Sequence, residues 1–205
     1  MTTLFCETNW DSPFVFTAFV ALTEKGLSFE TKVLDLGAGQ QRAPDFQQHS
    51  LTGRVPTLEH DGFWLSESTA IVEYLDEVVP PPAPRLLPAD ARNRARARQV
   101  LGWLRSDLTA LRRERPSSSL FFEPITRPLG EAASSDAAKL VRIANQLLQS
   151  GPTLFESFCI ADADLAFALM RLIANGDPVP ERIAAYVRGI WLRPSVQAYV
   201  NQPRP

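Results

Sequence analysis

The sequence predicts an α/β domain with element order β-α-β-α-β-β-α, followed by an all-helical domain. Three observations carry that expectation. Residues 54–77 read as a strand, a two-residue turn, a strand and a helix, because Asp61-Gly62 suits the positive φ angles of a type I′ hairpin. Residues 79–84, Val-Pro-Pro-Pro-Ala-Pro, form a stiff extended spacer. Beyond the spacer every periodic stretch has helical spacing. The expected organisation is a sheet domain over 1–79, a linker over 80–89 and a helical domain over 90–205.

Taken in order, residues 3–6 are a short apolar strand. Asn9-Trp10-Asp11-Ser12-Pro13 is a loop, with Ser12 as the N-cap of a helix over 14–25 and Pro13 at its first position. Val15, Phe19 and Leu22 recur at spacings of four and three, and Gly26 closes the helix. Residues 29–35 alternate apolar and polar as a strand does. Residues 36–53 are loop-like, with a short helix possible over 44–49. In the hairpin that follows, Pro56 cannot donate to a ladder and belongs at a strand start or edge. Val55 is pushed toward extended geometry by the proline after it. Ser66 is the expected cap of the next helix, with Glu67 and Ser68 in its first turn. Past the linker, Asp90 caps a long helix to about residue 115, which Pro116 ends. Residues 116–135 are a loop. Helices follow over 136–149, 161–175, 180–190 and 194–201. The third of these five, carrying Leu165, Leu169 and Leu172 on one face, is central to the second core.

Two ligand-capable features stand out in this reading. Val55 beside Pro56 could offer its backbone N–H and C=O to an extended peptide. The helix start at Ser68 could hold a carboxylate. A hairpin and a capped helix with no ligand is the plain alternative. Composition narrows little. The chain has 205 residues, 45% hydrophobic and 21% charged, with formal net charge −2, so no global field favours nucleic acid or an anionic membrane. The longest apolar run is too short to span a bilayer. Residues 1–7 show no export signal, and Cys6 and Cys159 are expected as free thiols of a cytoplasmic protein. His49 and His60 sit in turn regions away from other ligating groups, so no metal is expected.

The first seven elements make the thioredoxin-like arrangement. Ser12-Pro13-Phe14, Ala21-Leu22-Thr23-Glu24-Lys25-Gly26-Leu27, Arg54-Val55-Pro56-Thr57-Leu58, Leu65-Ser66-Glu67-Ser68-Thr69-Ala70-Ile71 and Ile160-Ala161-Asp162 resemble the signatures of the cytosolic glutathione transferases, in order and at that family's spacing. The likeness covers nearly the whole chain and is nearest to the bacterial YfcF-type branch. It implies glutathione as cosubstrate, a small electrophile as second substrate and a homodimer. It implies that Val55 pairs by its backbone with the cysteinyl part of glutathione and that Pro56 is cis. Glu67 would face the γ-glutamyl ammonium and Ser68 its carboxylate. Arg54 would reach the glycine carboxylate or else be a solvated surface arginine.

The resemblance makes Ser12 the catalytic residue; a plain helix cap is the alternative. A thiol of pKa about 8.5 is only a few per cent ionised at neutral pH, and a hydroxyl donor at the positive end of a helix favours the thiolate. Thiol-redox relatives carry Cys-Pro-aromatic-Cys where this chain has Ser12-Pro13-Phe14-Val15, so dithiol reduction is disfavoured. What remains is activation of glutathione for attack on an electrophile or peroxide. Asn9 and Trp10 could line the thiol's surroundings, with loop filling the alternative for Trp10. The helix over 90–115 would line the electrophile site through Trp103 and Asp107, with core or dimer packing the alternative for Trp103. Cys159 stands where the family usually has Ser or Thr as a cap opposite Asp162, and a weaker cap is expected there. A non-catalytic glutathione-binding protein and a glutathione-dependent disulfide reductase are the competing functions.

Overall fold

The structure is a computed structural model, described here over residues 1–148 and 151–205. It divides into two compact units: Met1–Leu86 with Gln197–Pro205, and Leu87–Val196.

The first unit is built on a four-stranded mixed sheet of order β2-β1-β3-β4: β1 (Thr2–Glu7), β2 (Glu30–Leu34), β3 (Thr57–His60) and β4 (Phe63–Ser66). β1 runs parallel to β2 and antiparallel to β3, and β3 pairs antiparallel with β4. Asp61 and Gly62 turn the hairpin with φ of 50° and 83°, as the sequence required. α1 (Pro13–Glu24) connects the parallel pair and buries Val15, Phe16, Phe19 and Leu22. It packs against α3 (Ser68–Val78), which buries Ile71, Val72 and Leu75. α2 is a single turn, Pro44–Gln47. The buried Lys25 at the end of α1 pairs with Asp76 of α3 at 2.9 Å. Ser66 is the last residue of β4 and does not cap α3. The N-cap is Glu67, whose φ of 72° turns the chain abruptly from strand into helix. That geometry is costly for a residue with a side chain.

The second unit is helical: α4 (Ala91–Ser106), α5 (Thr109–Glu114), α6 (Glu131–Leu147), α7 (Ile160–Ala174), α8 (Glu181–Trp191) and the start of α9 (Pro194–Val200). Asp90 caps α4 through the N–H groups of Arg92 and Asn93. The single long helix expected over 90–115 is two helices. Asp107 leaves helical geometry and Leu108 takes a left-handed φ of 60°. The Asp107 carboxylate accepts from Leu108 N, Trp103 Nε1 and Lys139 of α6, so α6 holds the break open from outside. α6 begins at Glu131, five residues before the expected 136, and its expected end at Gln149 lies outside the described residues. The expected loop contains a 3₁₀ turn at Ser117–Leu120. α7 is the buried centre of this unit, with Leu165, Leu169 and Leu172 fully inside. Its Asp162 accepts from Leu154 N at 2.7 Å, Cys159 N at 2.9 Å and the Tyr186 hydroxyl at 3.0 Å. Cys159 and Asp162 form the capping box that the sequence implied.

The expected helical domain 90–205 gives up Gln197–Pro205 to the sheet unit. The Tyr199 ring packs on Phe16, Phe19 and Trp10, and this contact makes those residues part of the first core. Among the described residues no helix is long and apolar enough to cross a membrane.

Candidate functional site

In the first unit a cavity of ≈ 530 Å³ opens where β1 ends, α1 begins and the loop before β3 passes. Glu7, Ser12, Gln41, Arg42, Arg54 and Val55 are on its wall. Ser12 is held there by its capping geometry. Its φ and ψ are extended, Pro13 occupies the first helical position, and Oγ accepts from Phe14 N and Val15 N, each at 3.3 Å. Those two bonds occupy the oxygen's lone pairs and leave the hydroxyl proton to be donated. A proton donor at a helix N-terminus favours an anion placed against it.

The loop carrying Ser12 is anchored from two sides. Glu7 Oε1 accepts from both Asp11 N and Ser12 N at 2.8 Å. The Tyr199 hydroxyl donates to Ser12 O at 3.1 Å, and Arg204 donates twice to Trp10 O at 2.9 and 3.2 Å. Trp10 has a positive φ of 49°, which those bonds hold in place.

The facing wall is the Val55 loop. The Val55–Pro56 peptide bond is cis, and the ladder to β1 begins only at Thr57. A cluster of three buried hydroxyls stiffens this loop. Ser50 Oγ lies 2.8 Å from Thr57 Oγ1 and 3.1 Å from Ser66 Oγ, and Thr57 Oγ1 donates to Arg54 O at 2.8 Å. Thr57 and Ser66 face one another in the hairpin register.

Electrostatically the cavity joins one buried acid to two arginines. Burial raises the Glu7 pKa, while the N–H groups of Ser12 and Asp11 oppose the rise. Burial also pushes the Cys6 thiol up to about 12, so that cysteine stays protonated and inert. The Cys159 thiol is raised by burial in the same sense. Among the described residues no group of three or more His, Cys, Asp or Glu could hold a metal ion.

Of the residues singled out in the sequence, Ser12, Arg54 and Val55 come together on the cavity wall. Pro56 is buried behind Val55. Glu67 and Ser68 sit at the start of α3, Glu67 exposed and Ser68 buried, and do not line this cavity. Asn9 is exposed and Trp10 is buried, 4% exposed, against Phe19 and Tyr199; neither lines the cavity. Trp10 thus packs inside the loop against those two rings. Trp103 and Asp107 lie in the second unit, and the bonds at the α4–α5 break engage both oxygens of Asp107 as well as the Trp103 indole N–H. These bonds brace the α4–α5 break. Sequence reasoning missed Glu7, Tyr199 and Arg204. Only Glu7 left a trace, as a lone acid at the end of an apolar strand.

A thioredoxin-like sheet unit joined to a helical unit, with a serine-capped first helix facing a cis-proline loop, is the architecture of the glutathione transferases. The chain belongs to the glutathione S-transferase family: residues 11–78 match the family model of the N-terminal domain and residues 90–203 that of the C-terminal domain. The crystal structure of a glutathione transferase homologue from Burkholderia GL BGR1, with bound glutathione, is 44% identical with a TM-score of 0.80, over 98% of this chain and 96% of that one. Glutathione transferase GST 23 of Zea mays is 35% identical over 148 residues, which are 72% of this chain and 59% of that protein. Maleylacetoacetate isomerase of Rattus norvegicus is 37% identical over 94 residues, 45% of this chain and 43% of that protein. The chain spans about half the length of these curated relatives.

Proposed function

We propose that the protein binds glutathione in the Ser12 cavity and activates its thiol for attack on a small electrophile. The observation that carries this reading is the Ser12 hydroxyl, its lone pairs occupied by the helix start, on the same wall as Val55 beside the cis Pro56. In this reading Val55 pairs with the cysteinyl backbone and Arg54 meets the glycine carboxylate. Glu67 and Ser68 hold the γ-glutamyl end at the first turn of α3, where the positive end of the helix favours a carboxylate. Ser12 donates to the sulfur and stabilises the thiolate, which forms a C–S bond as the leaving group departs with its electron pair. Organic peroxides are a second outlet, with two glutathiones oxidised to the disulfide as the peroxide becomes alcohol and water. The same reading takes the protein as a cytoplasmic homodimer of the YfcF-type branch.

Retention on immobilised glutathione tests the binding step. Ser12→Ala tests the chemistry. Its conjugation of an aryl halide falls roughly 100-fold, in the range of removing one aligned donor from a developing anion. Stability falls only about 1 kcal/mol, the worth of a cap. Equal activity in the two proteins removes Ser12 from the mechanism.

A second reading, glutathione-dependent isomerisation, is favoured by the maleylacetoacetate isomerase relatives from rat and from Methylobacterium extorquens AM1. The latter was solved with malonate and glutathione bound, and is 26% identical with a TM-score of 0.75. Turnover of maleylacetoacetate with no net glutathione consumption separates it from conjugation.

A further inference from the structure

Glu7 ends β1 as a charged residue that is only 5% exposed. Its two carboxyl oxygens are used unequally. Oε1 takes both loop N–H groups, from Asp11 and Ser12. Oε2 is buried and has no hydrogen-bond partner among the described residues. Seating the loop needs one acceptor oxygen, and an amide side chain would supply it without a buried charge. A carboxylate with one oxygen left over is therefore more than the loop requires. Glu7 also borders the cavity that Ser12 lines. A ligand group that brings a proton to that wall would satisfy the spare oxygen.

We infer that Glu7 Oε2 is the acceptor for the thiol proton of bound glutathione. This inference rests on the function proposed above and deepens it. The S–H bond breaks, an O–H bond forms on Oε2, and the electron pair stays on sulfur. The negative charge moves from the carboxylate to the sulfur, where the Ser12 hydroxyl and the N-terminus of α1 stabilise it. The site carries the same net charge before and after, so glutathione ionises without adding an anion to a buried pocket. The transferred proton leaves to solvent after the thiolate has reacted.

The surroundings suit the exchange. Burial raises Glu7 toward the range of a thiol, and Asp11 adds to the rise. A smaller gap between donor and acceptor makes the transfer easier. The other titratable or charged groups around it are Cys6, Tyr199 and Arg204, which are coupled to the same cluster, and Arg42 and Arg54 across the cavity. Cys6 and Tyr199 are both held protonated by burial, so neither competes for the proton near neutral pH.

The test counts protons. Glutathione is titrated into the native protein at pH 7 while thiolate absorbance and proton release are followed, with S-methylglutathione as the thiol-free control. The expected result is a thiolate band with far less than one proton equivalent released per glutathione bound. Release of a full equivalent as the band appears overturns the inference while leaving glutathione activation standing. Absence of any glutathione binding overturns the proposed function and this inference together. Glu7→Gln keeps an amide oxygen for the Asp11 and Ser12 N–H groups and removes the acceptor. In that variant kcat falls roughly 100-fold, KM for glutathione stays within about threefold, and the acid limb of kcat/KM moves up in pH. An unchanged kcat and limb contradict the inference. If that variant fails to fold, the proton count on native protein decides alone.

Discussion

Replacing Asp162 with alanine tests the centre of the helical unit. Its side chain is fully buried and receives three donors, Leu154 N, Cys159 N and the Tyr186 hydroxyl. The three losses differ. Cys159 N is buried and becomes an orphan, which costs about 1–3 kcal/mol. Leu154 is half-buried, so its N–H can turn to water at a cost of about 1 kcal/mol. The Tyr186 hydroxyl keeps a second acceptor, Asp162 O at 3.2 Å, and loses about 0.5–1 kcal/mol. Burial raises the Asp162 pKa, so removing the acid also recovers some desolvation. The net expectation is a loss of about 3 kcal/mol. Urea unfolding of the two proteins, followed by far-ultraviolet circular dichroism, reads it as a lower midpoint at constant slope. Tyr186→Phe, which removes one donor only, should lose about 1 kcal/mol. A change below about 0.5 kcal/mol in Asp162→Ala would refute the claim that this carboxylate organises the entry to α7.

Three further outcomes are expected. Lys25→Met strands Asp76 in the core of the sheet unit, where the Leu86 N–H and a 3.7 Å contact to Arg85 compensate only in part, and destabilises by about 3 kcal/mol in the same unfolding assay. Replacing both partners with apolar residues should cost less than the sum of the two single changes, which a double-mutant cycle will show. Lys139, with the Leu108 N–H, holds the Asp107 carboxyl down at about 2, below its ordinary 3.8. The folded protein then binds fewer protons here than the unfolded chain between those values. The stabilisation is complete above pH 3.8 and fades as pH falls toward 2, a fade that will be smaller in an acid titration of Lys139→Met, where the Leu108 and Trp103 donors remain. Arg54→Ala should raise KM for glutathione about tenfold, the size of a lost charge-assisted bond, with kcat unchanged; a glutathione analogue amidated at the glycine end should show no difference between the two proteins.

Local chemistry made much of the fold readable. Asp61-Gly62 set the hairpin, Ser12-Pro13 set the start of α1, and Asp90 set the start of α4, because turns and caps depend on neighbours in sequence. The break at Asp107–Leu108 was hidden. Leu101, Leu104, Leu108 and Leu111 keep a helical spacing across it, with no Gly or Pro from Trp103 to Leu111, and a lysine from another helix completes it. The start of α3 was misread by one residue because Ser66 suits a cap by type, while the actual cap is a glutamate in a positive φ that propensity disfavours. The site divided in the same way. Ser12, Val55 and Arg54 belong to short motifs and were legible. Glu7 has its role through burial and an unpaired oxygen, and Tyr199 and Arg204 through contacts with residues far away in the chain. None of those is a property of a local pattern.

Tyr199 and Ser12 are 187 positions apart, yet one hydrogen bond joins them inside the sheet unit. During synthesis the chain that carries Ser12 emerges well before the residues that seat its loop. A nascent chain stopped at residue 196 has every strand of the sheet but lacks the tyrosine and arginine that brace Trp10 and Ser12. The Ser12 loop is thus braced only after residues 199–204 have emerged, well after the strands of the sheet that houses it. Stalled chains released from the ribosome at 196 and at 205 residues will show the order, the longer one alone supporting the Ser12-dependent reaction.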